Sequence, residues 1–276
     1  MAIKQMLQQQ LKATIVFSGM DVVELTPEKI PLHRLSDDTG LFYRCAIALK
    51  LASNRKLPAF DIANQLVASF PKINQDNSQV TCLDFKVEVV SPGWINLRLS
   101  NRGLATWLQH LSQIPSHTPP GRELSPQYCQ NLFPVQYAHA RCCSLLRSAH
   151  QQNLIELKNL DCKTDSWQLL EPNPIPWLND DQDTLRLLHP AERFLIEQIL
   201  DLPDALCIHS QVSCVKLALA LSQAFDKFYS SCRIWGEVKT ETPGLAQARL
   251  GLVAVTQGLL RSLLQDQMRS FAPIEL

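Results

Sequence analysis

Hydrophobic and polar positions in the first 110 residues follow two different periods, which predicts a mixed α and β domain. Apolar residues recur at helical spacing in three segments, residues 1–11, 46–52 and 61–70. They recur at every second position in residues 85–89 and 95–99, which is the period of a strand. Because Pro92-Gly93 supplies a turn between the two strands, the pattern predicts a small α+β domain.

From residue 133 onward the apolar pattern has a helical period in four long segments. They cover residues 135–150, a stretch that begins near Pro190, residues 212–232 and residues 245–267. Four amphipathic helices of this kind predict an all-α bundle. Residues 151–185 interrupt them with three closely spaced prolines and an acidic run. This part predicts an irregular excursion with a short hairpin between residues 154 and 170.

The two patterns are separated by residues 112–131, which hold four prolines and few apolar side chains. Such a composition is typical of an extended, semi-rigid linker. The expected organisation is an α+β domain over residues 1–111, the linker, and an all-α helical bundle over residues 132–276.

Composition excludes several classes of protein. The chain of 276 residues has 46% apolar residues and equal numbers of basic and acidic side chains, 26 of each. A folded protein without a strong basic imbalance is therefore expected. Nine cysteines without a CxxC pair argue against a disulfide framework or a zinc site and predict reduced thiols. No apolar run approaches the roughly 20 residues of a membrane span, and no export signal precedes the domain, so a cytoplasmic protein is expected.

The second half contains three notable runs: VQYAHARCCSLLR (135–147), LLHPAERFLIEQILDLPDAL (187–206), and LSQAFDKFYSSCRI (221–234) followed by ARLGLVAVTQGLL (248–260). In this order they resemble the helical anticodon-binding domain of arginyl-tRNA synthetases, often called DALR. Two runs in the first domain, residues 49–70 and 85–100, resemble the N-terminal additional domain of the same enzymes. The resemblance implies that the first domain touches the elbow of a tRNA and that the bundle holds its anticodon stem-loop.

The catalytic domain of that family lies between these two domains and carries HIGH-type and KMSKS-type signatures. Here the proline-rich segment 112–131 stands in its place, and the sequence has neither an HxGH pattern nor a KMSKS-like run. Adenylate chemistry needs such groups to neutralise charge that develops on the phosphates. The sequence therefore predicts a protein that is not an enzyme and that holds no cofactor and no metal.

Candidate RNA-binding residues are the basic and aromatic side chains of the matching bundle helices. They are Tyr137, Arg141, Arg147, Lys227, Tyr229 and Arg233. Basic side chains bind phosphates and aromatic rings stack on unpaired bases, for which Trp235 is a further candidate. The alternative is that the cations are solvated and that the rings are half-buried in the bundle. His139 is expected to be a structural histidine rather than a base.

Trp177 lies among prolines in the excursion, next to an acidic run. Tryptophan is enriched at interface hot spots, so it is a candidate anchor for a protein partner that binds through residues 151–185. The alternative is that it fastens the excursion onto the bundle. Both interpretations remain open.

Two functions follow from the sequence. The first is a non-catalytic tRNA-binding protein, regulatory or acting in trans beside a complete synthetase. The second is a protein-interaction or structural module that has lost RNA binding. Charge favours the second, because residues 131–276 hold 13 basic and 16 acidic side chains, a net charge of −3. Residues 1–130 hold 13 basic and 10 acidic side chains, a net charge of +3.

Overall fold

The structure is a computed structural model that describes residues 2–20, 25–37, 40–53, 57–74, 83–114, 132–158, 167–181, 183–207 and 214–276. The chain divides into two compact units, Met1–Leu104 and Ala105–Leu276. The division falls inside a helix that covers Asn101–Gln113, whereas the sequence places the first domain boundary after residue 111. Residues 115–131 of the expected linker lie outside the described residues.

The first unit has an antiparallel sheet of four strands in the order β1-β2-β4-β3. Its elements are α1 (Ile3–Phe17), a 3₁₀ turn (Pro27–Lys29), β1 (Leu32–Asp37), β2 (Gly40–Cys45), α2 (Ile47–Ala52), α3 (Ala59–Asn74), β3 (Phe85–Val90), β4 (Trp94–Leu99) and the start of α4 (Asn101–Gln113). The α+β class is confirmed, but the expectation of two strands is wrong. The sequence pattern does not predict β2, because its adjacent residues Phe42 and Tyr43 point to opposite faces of the sheet and are both buried. Apolar and polar residues therefore do not alternate in this strand.

The two faces of this sheet differ in chemistry. α2 and α3 pack on the sheet and α1 packs on α3, and the side chains of Tyr43, Cys45, Ile95 and Leu97 are buried on one face. The opposite face carries a row of cations and rings. The Cζ atoms of Arg44 and Arg98 lie 5.4 Å and 4.8 Å from the ring centroid of Phe42, and that of Arg44 also lies 5.9 Å from Trp94. Phe42 is therefore buried under two guanidinium groups rather than under a helix.

The second unit contains a bundle of four long helices, as the apolar period predicts. Its elements after α4 are α5 (Phe133–Gln151), β5 (Glu156–Lys158), β6 (Gln168–Glu171), α6 (Pro190–Cys207), α7 (Cys214–Ser231), α8 (Glu237–Glu241), α9 (Pro243–Ser262) and a π-helical turn (Leu263–Gln267). The fourth predicted helix ends at Gln267 as expected, with its last turn π-helical, and it is preceded by the short α8. α9 contacts α5, α6 and α7 and is buried on almost every side, so it forms the centre of the bundle.

The excursion between α5 and α6 is partly ordered into β structure. β5 and β6 pair antiparallel, which confirms the predicted hairpin, and β6 packs on α9. Residues 159–166 between the two strands lie outside the described residues. None of the helices in the described ranges has the length and hydropathy of a bilayer-spanning segment.

Candidate nucleic-acid interface

One face of α5 carries a ridge of side chains spaced four residues apart. Pro134 lies in the first turn of the helix, where its missing N–H costs nothing. The ridge consists of Phe133, Tyr137, Arg141 and Leu145, which lie on the same face of the helix. The Phe133 and Tyr137 rings are 61% and 46% exposed and stack with their centroids 6.2 Å apart. The ridge therefore presents two aromatic rings and a cation side by side.

Arg141 joins this ridge to α7. Its guanidinium lies over the ring of Tyr229, with the Cζ atom 4.6 Å from the ring centroid, and donates a hydrogen bond to the phenol oxygen. The Tyr229 ring also stacks with Phe225 of the same helix at a centroid distance of 6.2 Å. Tyr229 is 38% exposed, so these contacts hold the ring while part of the residue stays in contact with solvent. The Nε of Arg141 is buried without a hydrogen-bond partner in the described part of the chain.

A cavity of about 320 Å³ opens beside this pair. It is lined by Leu145, Tyr229, Cys232, Arg233, Ile234 and Trp235. Its volume lies at the lower end of the range for small-ligand pockets, about 300–1,000 Å³. Leu145 continues the ridge of α5, so the ridge leads directly to the cavity. The arrangement suits a flat ligand that is stacked on one side and contacted by a guanidinium.

The wall of the cavity after α7 is held by a buried ion pair. Arg249 of α9 pairs with Glu192 of α6 at 2.6 Å between Nε and Oε1, and its Nη1 donates to the backbone oxygen of Arg233. The second carboxylate oxygen of Glu192 accepts from the backbone N–H of His189 at 2.8 Å, which caps the start of α6. Arg249 thus connects α9 to α6 and to the segment after α7. The Arg233 side chain remains exposed at the cavity.

Cys232 lines the cavity but does not supply a nucleophile. Burial, together with the negative charge of Glu192, raises the pKa of its thiol to about 11. The thiol is therefore protonated at neutral pH, and the thiolate is the form that reacts. Its sulfur lies 3.4 Å from Nδ1 of His189 and packs inside the bundle.

The structure brings together four of the six candidate RNA-binding residues predicted from the sequence. Tyr137 and Arg141 lie on the ridge, and Tyr229 and Arg233 line the cavity. Lys227 points elsewhere, since its Nζ lies 4.8 Å from the ring centroid of Phe194 on α6. Arg147 is engaged by residues 274 and 275.

Sequence reasoning missed Phe133 and the Glu192–Arg249 pair. The spacing of four residues from Phe133 to Arg141 was a usable signal for the ridge. No local sequence pattern predicts the ion pair, because Glu192 and Arg249 are far apart in the chain.

The interpretation of Trp177 as an exposed anchor for a protein partner is wrong. Its side chain is only 2% exposed, and its Nε1 donates to Oε1 of Gln109 at 3.1 Å. The ring packs so closely on Gly251 of α9 that a Cβ there would lie 2.5 Å from Trp177 Cη2. The alternative applies: Trp177 fastens the excursion onto the bundle.

Two family models match the chain. The DALR anticodon binding domain matches residues 135–265, and the arginyl tRNA synthetase N terminal domain matches residues 1–99. The chain carries both of these arginyl-tRNA synthetase domains. The ridge and the cavity lie in the DALR domain, and the arginine-rich sheet face lies in the N-terminal domain. Residues 100–134 separate the two matched ranges.

Curated relatives are arginine–tRNA ligases of bacteria. That of Synechococcus sp. (strain JA-3-3Ab) is 34% identical over 143 residues, which are 50% of this chain and 21% of the relative. That of Gloeobacter violaceus is 30% identical over 144 residues, 51% of this chain and 22% of the relative. That of Heliobacterium modesticaldum is 34% identical over 137 residues, with shares of 48% and 21%. The chain thus spans about a fifth of the length of these relatives. No solved structure matches it.

Proposed function

We propose that the protein is a cytoplasmic tRNA-binding protein that does not catalyse aminoacylation. The observation that carries this proposal is the contact between Arg141 and Tyr229 at the cavity of the DALR domain. Proteins recognise single-stranded RNA by stacking its unpaired bases on aromatic rings and on guanidinium planes. An anticodon loop offers such bases, so we assign the ridge and the cavity to it.

The two domains differ in net charge and would contribute to RNA binding in different ways. Because residues 131–276 have a net charge of −3, the DALR domain contributes few phosphate contacts, and stacking supplies most of its affinity. Residues 1–130 have a net charge of +3. The sheet face with Arg44 and Arg98 over Phe42 is the second contact surface in this proposal. It corresponds to the elbow contact that the resemblance implies.

The lack of catalysis is inferred from the short segment of sequence between the two matched ranges. Residues 100–134 are too short to hold the nucleotide-binding domain that the family places there, and the sequence has neither a HIGH-like nor a KMSKS-like signature. The protein would then hold tRNA without charging it, as a regulator or in trans beside a complete synthetase. ATP–pyrophosphate exchange that depends on arginine and survives removal of contaminating synthetase would overturn this part.

A protein-interaction module is the second candidate, and the acidic balance of the DALR domain favours it. The two are separated by purifying the full chain at about 50 mM salt, where phosphate contacts remain strong, and sequencing the bound RNA. The matched control is Tyr229→Leu, purified in the same way. We expect tRNA to be enriched with the parent and depleted with the variant. A parent that carries no RNA would favour the interaction module.

A further inference from the structure

Residues 268–276, here called the strap, run along α5. Three side chains of α5 donate to backbone carbonyls of the strap: Gln136 to Phe271 at 3.0 Å, His139 to Pro273 at 2.8 Å and Arg147 to Ile274 at 3.2 Å. The contacts follow the same order along the helix and along the strap. The two segments therefore run in the same direction.

The inner part of the strap is held by buried, neutral groups. His139 is buried, and its Nε2 accepts from Nε2 of Gln257 on α9 at 2.9 Å. Since the Pro273 carbonyl can only accept, Nδ1 of His139 carries the proton, which assigns the tautomer from the network. Ala272 and Pro273 are buried at this point. His139 is thus structural, as the sequence predicts.

The outer part of the strap is held differently. Glu275 forms an ion pair with Arg147 through Oε1 and Nη1, and the guanidinium also lies 5.6 Å from the ring centroid of Trp167. The Glu275 side chain is 76% exposed. An ion pair this exposed is weak and opens readily, whereas the inner part stays packed.

We propose that Arg147 is a phosphate subsite of the RNA interface and that Glu275 occupies it as an internal competitor. The inference rests on the proposed function, because it assigns the ligand as a phosphodiester of the RNA that the ridge holds. A carboxylate and a phosphate oxygen make the same charge-assisted hydrogen bonds to a guanidinium, so each displaces the other. The outer strap then weakens RNA binding, and RNA that binds must release Glu275 from Arg147.

The test removes the negative charge of the competitor and keeps the strap in place. Glu275→Gln keeps an oxygen that accepts a hydrogen bond from Arg147 but deletes the charge. Glu156→Gln is the matched control, since Glu156 is an exposed carboxylate of β5. Binding of unmodified tRNA transcript is titrated against salt for the parent, both variants, Arg147→Gln, and the double variant Arg147→Gln/Glu275→Gln.

We expect Glu275→Gln to tighten binding by up to about fivefold, the strength of an exposed ion pair. The slope of log K against log salt should steepen by about 0.7–0.9, which is one added phosphate contact. In the Arg147→Gln background the same change should have no effect, and Glu156→Gln should leave the slope unaltered.

Two outcomes overturn the inference while the proposed function stands. The first is tRNA binding by Glu275→Gln with the affinity and slope of the parent. The second is an equal gain from Glu156→Gln or in the Arg147→Gln background, which would be a general charge effect. If neither the parent nor Glu275→Gln binds tRNA, the proposed function fails and the subsite fails with it.

Discussion

The Cζ atom of Arg141 lies 4.6 Å from the ring centroid of Tyr229, and the guanidinium also donates a hydrogen bond to the phenol oxygen. This contact joins α5 to α7 beside the cavity. A ring and a cation held against each other lose little further freedom when a base stacks on them. The pair is therefore already arranged for binding, and its components can be tested separately.

Tyr229→Leu removes the stacking ring, whereas Tyr229→Phe removes only the hydroxyl group that Arg141 contacts. We expect Tyr229→Leu to weaken binding of an anticodon stem-loop by about 1–3 kcal/mol. Tyr229→Phe should cost about 1 kcal/mol or less, the value of one hydrogen bond. Fluorescence anisotropy of a labelled stem-loop measures both variants, and their melting temperatures check the fold. Equal binding by the parent and Tyr229→Leu would exclude Tyr229 from the interface.

Arg141→Gln and Lys227→Gln each delete one positive charge from the DALR domain, but only Arg141 lies by the cavity. Arg141→Gln should reduce the salt dependence of tRNA binding by about 0.7–0.9 in slope. Lys227→Gln, whose side chain lies over Phe194, should leave the slope unchanged. Identical slopes for the two variants would mean that RNA responds to the overall charge of the bundle rather than to this site.

Gly251→Ala should destabilise the second unit, because the added Cβ would lie 2.5 Å from Trp177 and 2.9 Å from Ile175. Overpacking of this kind costs about 1–3 kcal/mol. Gly258→Ala in the same helix is the matched control, since its Cβ would meet no atom within 4 Å. It should stabilise the helix by up to about 1 kcal/mol. Chemical denaturation measures the free energy of unfolding of both variants and so distinguishes a loss of stability from a gain. An unchanged stability of Gly251→Ala would mean that Trp177 does not pack there.

Much of the fold was predictable because it depends on local period. Apolar residues recur with a helical period in the bundle helices and at every second position in β3 and β4. The structure places these elements close to the predicted positions. β1 and β2 were not predictable in this way. Arg44 and Arg98 cover Phe42 on the open face of the sheet, so an apolar residue is buried where alternation predicts a polar one.

The site was predictable only in part, for a related reason. Residue type and helical spacing point to Tyr137, Arg141, Tyr229 and Arg233, which the structure brings to one surface. They do not tell which face of α7 meets α5, so Lys227 could not be separated from Tyr229. Trp177 was ambiguous because burial depends on Gly251, far away in the sequence.

Leu221→Asp should unfold the bundle. Leu221 is buried on the apolar stripe of α7, and an unpaired carboxylate there costs several kcal/mol, a large part of the roughly 5–15 kcal/mol that stabilises a domain. Gln223→Asp introduces the same charge at an exposed position of the same helix and should change stability little. Circular dichroism with thermal melting compares the two. Native helicity and melting in Leu221→Asp would show that this stripe is not the core.

The Cys232 thiol makes the stability of the bundle depend on pH in alkaline solution. Its pKa is about 11 in the folded protein, raised by burial from an ordinary value near 9. A group with a raised pKa contributes stability that is present below pH 9 and is lost as the pH rises to 11. The stability of the parent should therefore fall more steeply between pH 9 and 11 than that of Cys232→Ala. Parallel curves from denaturant melts in this range would contradict the assignment.

The most direct measurement of the central claim is a salt titration of tRNA binding by the full chain and by the double variant Arg141→Gln/Tyr229→Leu. The cations on the two proposed surfaces include Arg44, Arg98, Arg141 and Arg233. For about four phosphate contacts, log K should fall with log salt at a slope near −3. The account predicts binding by the parent at about 50 mM salt with this slope, and a large loss of affinity in the double variant. A parent that does not bind tRNA at that salt concentration, or a double variant that binds as the parent does, would contradict it.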